Sequence, residues 1–330
     1  MIGEFELIER YLRPLAAGSP GAFALTDDAA LLTPPPGRDI VITADAMVAG
    51  VHFLPDDPPD LVARKLLRVN LSDLAAMGAT PIGYLITASW PQDIGQDGGE
   101  DWLASFTAGL AADQAEFEVG LLGGDTTRTP GPMVLSLTAL GSVPGGRCLR
   151  RSTARDGDLV FVSGSIGDGA LGLEVLRGGL TGLSPEHGAS LVDRYRLPRP
   201  RLALGQCLLA EGLASAALDI SDGLVADLGH IAGSSGLAAT LEAPAVPLSP
   251  AAQAVLAAEP ERLQQVITGG DDYELLFTAA PADSGALAAL SDELGLPLTR
   301  IGVMSTGQGV RVRDATGAEM SLEHAGWTHF

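Results

Sequence analysis

A chain of 330 residues exceeds what one hydrophobic core usually organises, so two domains are expected. Acidic residues outnumber basic ones 41 to 20, and the net charge of -21 excludes nucleic acid or an anionic membrane as the main partner. A hydrophobic content of 46% with 42 glycines and few aromatics favours close helix–sheet packing over an all-β sandwich.

Phe5, Ile8, Leu12 and Leu15 recur at helical spacing and predict an opening amphipathic helix ending near Pro14 and Gly18. Thr26 to Leu32 reads as a short extended segment that begins with the paired carboxylates Asp27 and Asp28. After the Pro34-Pro-Pro-Gly37 turn, Ile40 to Asp45 is a predicted strand, on which Thr43 and Asp45 face the same side. His52 follows, and a helix from near Asp60 runs into Asn70-Leu-Ser-Asp-Leu-Ala-Ala-Met-Gly78. Asp73 is the only charged side chain between Arg68 and Asp93, among Leu67, Leu71, Leu74 and Met77 at helical spacing. A carboxylate in such company is paired, hydrogen-bonded or metal-bound. Alternatively it faces solvent on an ordinary amphipathic helix, or caps one.

Pro81 to Ala88 reads as a strand and Trp102 to Glu116 as a helix. Glu118 to Arg128 reads as a strand running into a glycine turn, Gly123-Gly124, with Asp125 at its tip. Met133 to Val143 is a further strand. The turn-rich, basic stretch from Pro144 to Arg155 marks a domain boundary, giving domains 1–145 and 146–330. The second half opens with a strand, Leu159 to Ser163, then a glycine-rich turn, Gly164 to Gly169, and a helix. That turn either cradles a phosphate or simply joins strand to helix; its spacing is not G-x-G-x-x-G. Arg201 to Glu211 is helical, and Ala217 to Leu224 is a strand entering a helix that ends near Gly233 to Gly236. Val266 to Phe277 is a glycine turn feeding a strand, and a helix, two short strands and the tail Ala325 to Phe330 complete the chain. Interleaved helices and strands in both halves indicate a two-domain α/β or α+β protein.

Several chemistries are excluded by what is missing. The single lysine, Lys65, follows Arg64 and not a glycine, so there is no P-loop, and the protein-kinase motifs are absent. The five histidines lack zinc-site spacing, and Cys148 and Cys207 form no C-x-x-C pair, which suits a reducing compartment. No basic-then-apolar leader opens the sequence, and the uncharged run from Leu74 to Gln92 is interrupted by Gly78, Pro81 and Gly83. A soluble, cytoplasmic protein is expected. Acids instead recur at strand ends and in glycine turns: Asp27, Asp28, Asp45, Asp73, Asp125, Asp219, Asp222, Asp271 and Asp272. Singly, each is an N-cap or a turn residue. Together they offer hard oxygen ligands of the kind that suit Mg²⁺ and substrate phosphates.

Gly3-Glu-Phe, Asp27-Asp-Ala-Ala-Leu, Asn70-Leu-Ser-Asp-Leu-Ala-Ala-Met-Gly, Gly123-Gly-Asp-Thr-Thr-Arg, Asp219-Ile-Ser-Asp-Gly-Leu, Gly269-Gly-Asp-Asp-Tyr-Glu-Leu and the Gly-Trp-x-His-Phe end occur in order along the chain. In this it resembles thiamine-monophosphate kinase, of the aminoimidazole ribonucleotide synthetase-like superfamily. The resemblance implies ATP-dependent, Mg²⁺-dependent phosphorylation of thiamine monophosphate to thiamine diphosphate, with several ions per site. It also implies a homodimer whose N-terminal domains bind ATP and Mg²⁺ and join through a β-barrel. The C-terminal α/β domain would complete the nucleotide and substrate site. By position, Asp28, Thr43, Asp45, Asp73, Asp125, Asp219 and Asp222 would ligate Mg²⁺. Gly124, Asp125, Arg151 and Ser221 would contact ATP, and His52, Asp271 and Trp327 would line the substrate pocket. Asp73, Asp125, Asp222 and Arg151 would carry the chemistry. A cationic thiazolium suits an aromatic face and a carboxylate. Three positions depart from the family pattern: Ala44 for a hydroxyl residue, Asp271 for a glutamate and Thr26 for a glycine.

The implied chemistry is direct in-line transfer to an acceptor phosphate that is already an anion, so positioning and charge neutralisation suffice. Selenophosphate synthetase is a poorer match because no Cys or Lys precedes Lys65, and the hydrogenase-maturation dehydratase because the sequence ends His-Phe. A non-catalytic nucleotide- or Mg²⁺-binding regulator is the alternative of another class.

Overall fold

The computed structural model describes residues 3–92 and 99–327, so the last three residues of the tail motif lie outside it. The chain divides into two compact units, Met1–Leu74 with Ala79–Arg147, and Ala75–Gly78 with Cys148–Phe330.

The first unit opens with a short helix, α1 (Glu4–Leu7), a π turn over Ile8–Leu12 and a 3₁₀ turn over Arg13–Ala16. Leu7, Tyr11 and Leu15, four apart, are buried in this segment, with Ala16 beside them, while Phe5 is 82% exposed. The expected face of Phe5, Ile8 and Leu12 is therefore corrected: the wide π turn lengthens the local period and rotates another row inward. Thr26 to Leu32 forms no strand. It folds back on the preceding turn, where the Leu31 N–H donates to the Gly21 carbonyl at 2.8 Å.

A four-stranded sheet follows, built from β1 (Arg38–Val48), β2 (Thr80–Pro91), β3 (Gly120–Thr129) and β4 (Val134–Pro144) in the order β1-β4-β2-β3. β4 runs antiparallel to both neighbours, and β2 and β3 are parallel. Helices α2 (Pro59–Ala76) and α3 (Gly99–Phe117) cover one face. There Trp90 of β2 packs edge-on against Phe106 of α3 at 5.7 Å. Asp113 of α3, fully buried, receives Arg68 of α2 through Nε at 2.7 Å and Nη2 at 2.9 Å, which ties the two helices together. The opposite face leaves Ile42 65% and Leu85 37% exposed.

The predicted turn at Gly123-Gly124 is not a turn. β3 continues through it, paired with β2 from Gly120 to Thr129 with one irregularity at Leu122. Gly124 has φ 151°, and a Cβ there would lie 1.7 Å from the Ile86 carbonyl oxygen. The glycine serves close strand approach, not chain reversal.

The second unit holds a six-stranded sheet: β5 (Leu159–Ser163), β6 (Ala216–Asp219), β7 (Ala238–Glu242), β8 (Leu275–Ala279), β9 (Leu298–Ser305) and β10 (Gly309–Arg313), in the order β10-β7-β9-β5-β8-β6. Among the described residues neither sheet closes into a barrel. Among the described residues seven α-helices accompany the second sheet: α4 (Asp168–Leu176), α5 (Pro185–Arg196), α6 (Leu202–Glu211), α7 (Leu224–Ser235), α8 (Pro250–Ala258), α9 (Leu263–Thr268) and α10 (Ser284–Leu294). The core joins Val160, Leu218, Leu276 and Ile301 of the sheet to Leu224, Leu228 and Ile231 of α7. α5 and α8 were not anticipated, although each starts with a Ser-Pro signal: Ser184 and Ser249 cap them, accepting N–H groups from His187 and Ala252.

Candidate functional site

In the first unit the strand pairing sets out the acids. Thr43 and Asp45 lie opposite Ala139 and Leu137, on the buried, helix-covered face. α2 brings Asp73 and Asn70 to them. The Thr43 hydroxyl donates to Asp73 Oδ2 at 2.5 Å, and the Asp45 N–H donates to Asn70 Oδ1 at 3.1 Å. Asp73 is half-buried, neither capping its helix nor turned wholly to solvent. Asp125 is placed elsewhere. It pairs with Thr87, out of step with buried Ile86 and Ala88, which puts it on the face opposite Thr43 and Asp45. There Asp125 and Gly124 line a cavity of about 560 Å³ together with Asp27, Asp28, Ile8, Leu12, Leu25 and Leu140. His52 sits beyond the end of β1, where its Nδ1 accepts the Val48 N–H at 3.1 Å, leaving Nε2 to carry the proton of the neutral ring. Lys65 is buried and donates to the His52 carbonyl at 3.2 Å, a structural use.

In the second unit two loops stand side by side at the ends of the paired strands β6 and β8. Asp219, Ser221 and Asp222 lie on the first, Asp271 to Glu274 on the second. Asp219 is buried, while Ser221, Asp222 and Asp271 are half-exposed. Neither Ser221 nor Asp222 caps α7: Gly223 holds that position, with no side-chain bond. Asp227, one turn into the helix, reaches back instead. Its Oδ2 accepts the N–H groups of Ser221, Asp222 and Gly223, each at 3.1 Å. Burial, reinforced by the nearby Asp222 carboxylate, pushes the Asp227 carboxyl up to about 7 against those three donors.

The acids that follow Asp271 are buried too. Asp272 accepts N–H groups from Gly167 at 2.8 Å and Gly169 at 3.1 Å, and burial holds its carboxyl up to about 8. The Gly167 and Gly169 donors at the start of α4 are thus occupied by a side chain of this chain, which suits a strand-to-helix joint better than a phosphate cradle. Glu274 is fully buried and binds Arg194 at 2.7 Å and Arg201 Nε at 2.7 Å. The Trp327 side chain is exposed, and its backbone N–H donates to the Asp222 carbonyl at 2.9 Å. Arg151 is exposed at the unit's start.

Among the described residues one group of three acid or histidine ligand atoms lies within 4.8 Å of one another: Asp222, Asp227 and His230. The first unit's acids do not gather so closely. The donors of both units are nevertheless oxygen-rich and partly solvent-facing, which fits a hard cation that keeps several waters. His230 beside the acids was not anticipated, because its helical neighbour is an aspartate three residues away and not a second histidine.

The sequence matches the AIR synthase related protein N-terminal domain over residues 26–143 and the corresponding C-terminal domain over residues 155–315. It is 44% identical to the thiamine-monophosphate kinase of Caulobacter vibrioides, covering 99% of this chain and 90% of that one. The chain belongs to the thiamine-monophosphate kinase family. A crystal structure of thiamine-monophosphate kinase from Stenotrophomonas maltophilia aligns with a TM-score of 0.79 at 44% identity, over 87% of this chain and 89% of that one. AaThiL complexed with AMPPCP and TMP aligns with a TM-score of 0.77 at 30% identity, over 99% of this chain and 97% of that one.

In and just beyond the thiamine-monophosphate kinase motifs stand two kinds of acid. Asp28, Asp73, Asp125, Asp222 and Asp271 are displayed, whereas Asp227, Asp272 and Glu274 are buried and hold backbone or arginine. Motif reading grouped Asp272 with the displayed acids and passed over Asp227 and Glu274. The signal available was their position within five residues of a displayed acid. Asn70, inside the longest motif, was likewise passed over as a positioning group for Asp45.

Proposed function

We propose that this chain catalyses ATP-dependent phosphorylation of thiamine monophosphate to thiamine diphosphate, by direct in-line transfer to the terminal phosphate. The observation that carries this is likeness to thiamine-monophosphate kinases over 99% of the chain, with every metal-motif acid retained on a loop, on a strand or, for Asp73, in the last turn of α2. In the first unit Asp28 and Asp125, with Gly124, would hold cation and nucleotide at the cavity, and Thr43, Asp45 and Asp73 a further cation. In the second, Asp219 and Asp222 would hold cation, Ser221 and Arg151 would contact ATP, and Asp271 and Trp327 would receive the thiamine moiety. His52 would bind substrate from the first unit. Mg²⁺, when bound, supplies neutralisation of the phosphate charge. The residues' task is then orientation: the acceptor is an anion at neutral pH and needs no general base.

The homodimer belongs to the same proposal. Among the described residues α2 and α3 cover one face of the four-stranded sheet, and Ile42 and Leu85 on the other are apolar and exposed, which suits a second copy. Two free cysteines, and no described helix long and apolar enough to cross a membrane, support a cytoplasmic location.

The deciding experiment incubates the purified chain with ATP, Mg²⁺ and thiamine monophosphate and measures thiamine diphosphate. Formation dependent on all three is expected. Nucleotide binding without product indicates a regulator, and turnover of another acceptor only indicates a different member of the superfamily.

A further inference from the structure

The loop joining β6 to α7 is bonded along both edges, one peptide unit at a time. Three N–H groups, of Ser221, Asp222 and Gly223, converge on Asp227 Oδ2 at 3.1 Å each. The carbonyls of the same three peptide units point the other way. Ile220 O accepts the Tyr273 N–H at 2.8 Å, Ser221 O accepts the Asp271 N–H at 3.0 Å, and Asp222 O accepts the Trp327 N–H at 2.9 Å. A trans peptide is planar, so its N–H and C=O turn together. Whatever fixes one edge of these units fixes the other.

The seats are close-fitted. A Cβ on Gly270 would fall 2.2 Å from Ser221 O, and one on Gly326 2.6 Å from Asp222 O. Asp271 and Tyr273 hold left-handed φ of 71° and 52°, a conformation that persists only where the surroundings over-determine it. Asp227 is 4% exposed, and its Oδ2 is committed to the loop.

We propose that Asp227 is a positioning residue that couples the two substrate sites of this unit. By clamping three successive peptides it orients Ser221 and Asp222, and through the carbonyls of those peptides it seats Asp271 and Trp327. The inference rests on the reading above, in which Ser221 and Asp222 serve nucleotide and cation while Asp271 and Trp327 serve the acceptor. It predicts that one buried carboxylate behind the loop governs affinity for both substrates.

The test compares the full chain with Asp227→Ala and Asp227→Asn by residue-resolved amide exchange and by steady-state kinetics. In Asp227→Ala, amides of Asp271, Tyr273 and Trp327 exchange faster while those of β8 and β9 keep their protection. KM rises for both ATP and thiamine monophosphate, by about 10- to 100-fold, the range for loss of an outer-shell partner. Asp227→Asn keeps one acceptor oxygen and falls between. Unchanged exchange at those three amides overturns the proposal. So does a rise in KM for ATP alone, which would make Asp227 a cation ligand, or loss of protection throughout the unit in both variants, which would make it structural. Exchange needs no substrate, so its outcome stands apart from the activity reading: failure of the unsubstituted chain to form thiamine diphosphate overturns that reading alone.

Discussion

The helix that carries Asp73 and the double loop that carries Asp222 and Asp271 display acids by opposite means. In the first unit the scaffold is made of side chains: Arg68 and Asp113 lock α2 to α3, the Thr43 hydroxyl meets the Asp73 carboxylate, and Asn70 holds the Asp45 backbone N–H. In the second the scaffold is largely backbone, and its anchors are themselves acids, Asp227, Asp272 and Glu274. A helix presents a side chain from a frame already satisfied internally. A loop leaves N–H groups open, and buried carboxylates are the acceptors that fill them. The difference teaches that an acid-rich motif on a loop has to include its own scaffold, while one on a helix borrows its scaffold from elsewhere.

The sharpest way to break that comparison is to remove an anchor. Glu274→Ala leaves Arg194 and Arg201 without their shared buried carboxylate, and a loss of about 3–5 kcal/mol is expected from denaturant unfolding. A loss under 1 kcal/mol would show that the loop does not depend on its anchor. Asp73→Asn probes the helix side. The amide keeps an oxygen for the Thr43 hydroxyl, so the unfolding midpoint should hold, while turnover falls by about 10²- to 10³-fold, the range for removing one preorganised electrostatic group. Full activity in that folded variant would sink the role given to Asp73. Gly124→Ala tests the strand reading of the Gly-Gly-Asp motif. Its Cβ would drive into the Ile86 carbonyl at 1.7 Å, at φ 151°, and a cost of about 1–3 kcal/mol in thermal or denaturant stability is expected. A neutral result would restore the turn.

The smallest effect is in pH. Burial holds Asp272 up to about 8 against an ordinary value of 3.8, so the folded chain keeps a proton that the unfolded chain releases. The associated stability is complete below the unfolded value and is lost as pH rises through about 8; Asp227, held up to about 7, adds a slope of the same sign. The melting midpoint should therefore fall between about pH 5 and 9, less steeply in Asp272→Asn. A midpoint rising over that range contradicts the assignment.

The sequence by itself determined a great deal here. Periodicity placed the strands now seen at 38–48, 80–91, 134–144 and 159–163 and the helices at 59–76 and 99–117, because these segments bury a regular apolar face. The motifs, taken in order, were enough to point to the kinase family, since loops that carry chemistry also carry distinctive residue strings. What tertiary structure alone decided is where backbone meets backbone. That Gly124 continues a strand depends on the Ile86 carbonyl 38 residues before it along the chain. That Leu7 and Tyr11 turn inward depends on a π turn with no one-residue signature. Whether an aspartate is a ligand or an anchor depends on which N–H groups surround it, and both kinds read as the same letter. Hydrogen bonds between segments distant in sequence leave no periodicity to read, which is why Asp272 read as one more acid of its motif until the N–H groups of Gly167 and Gly169 were in place.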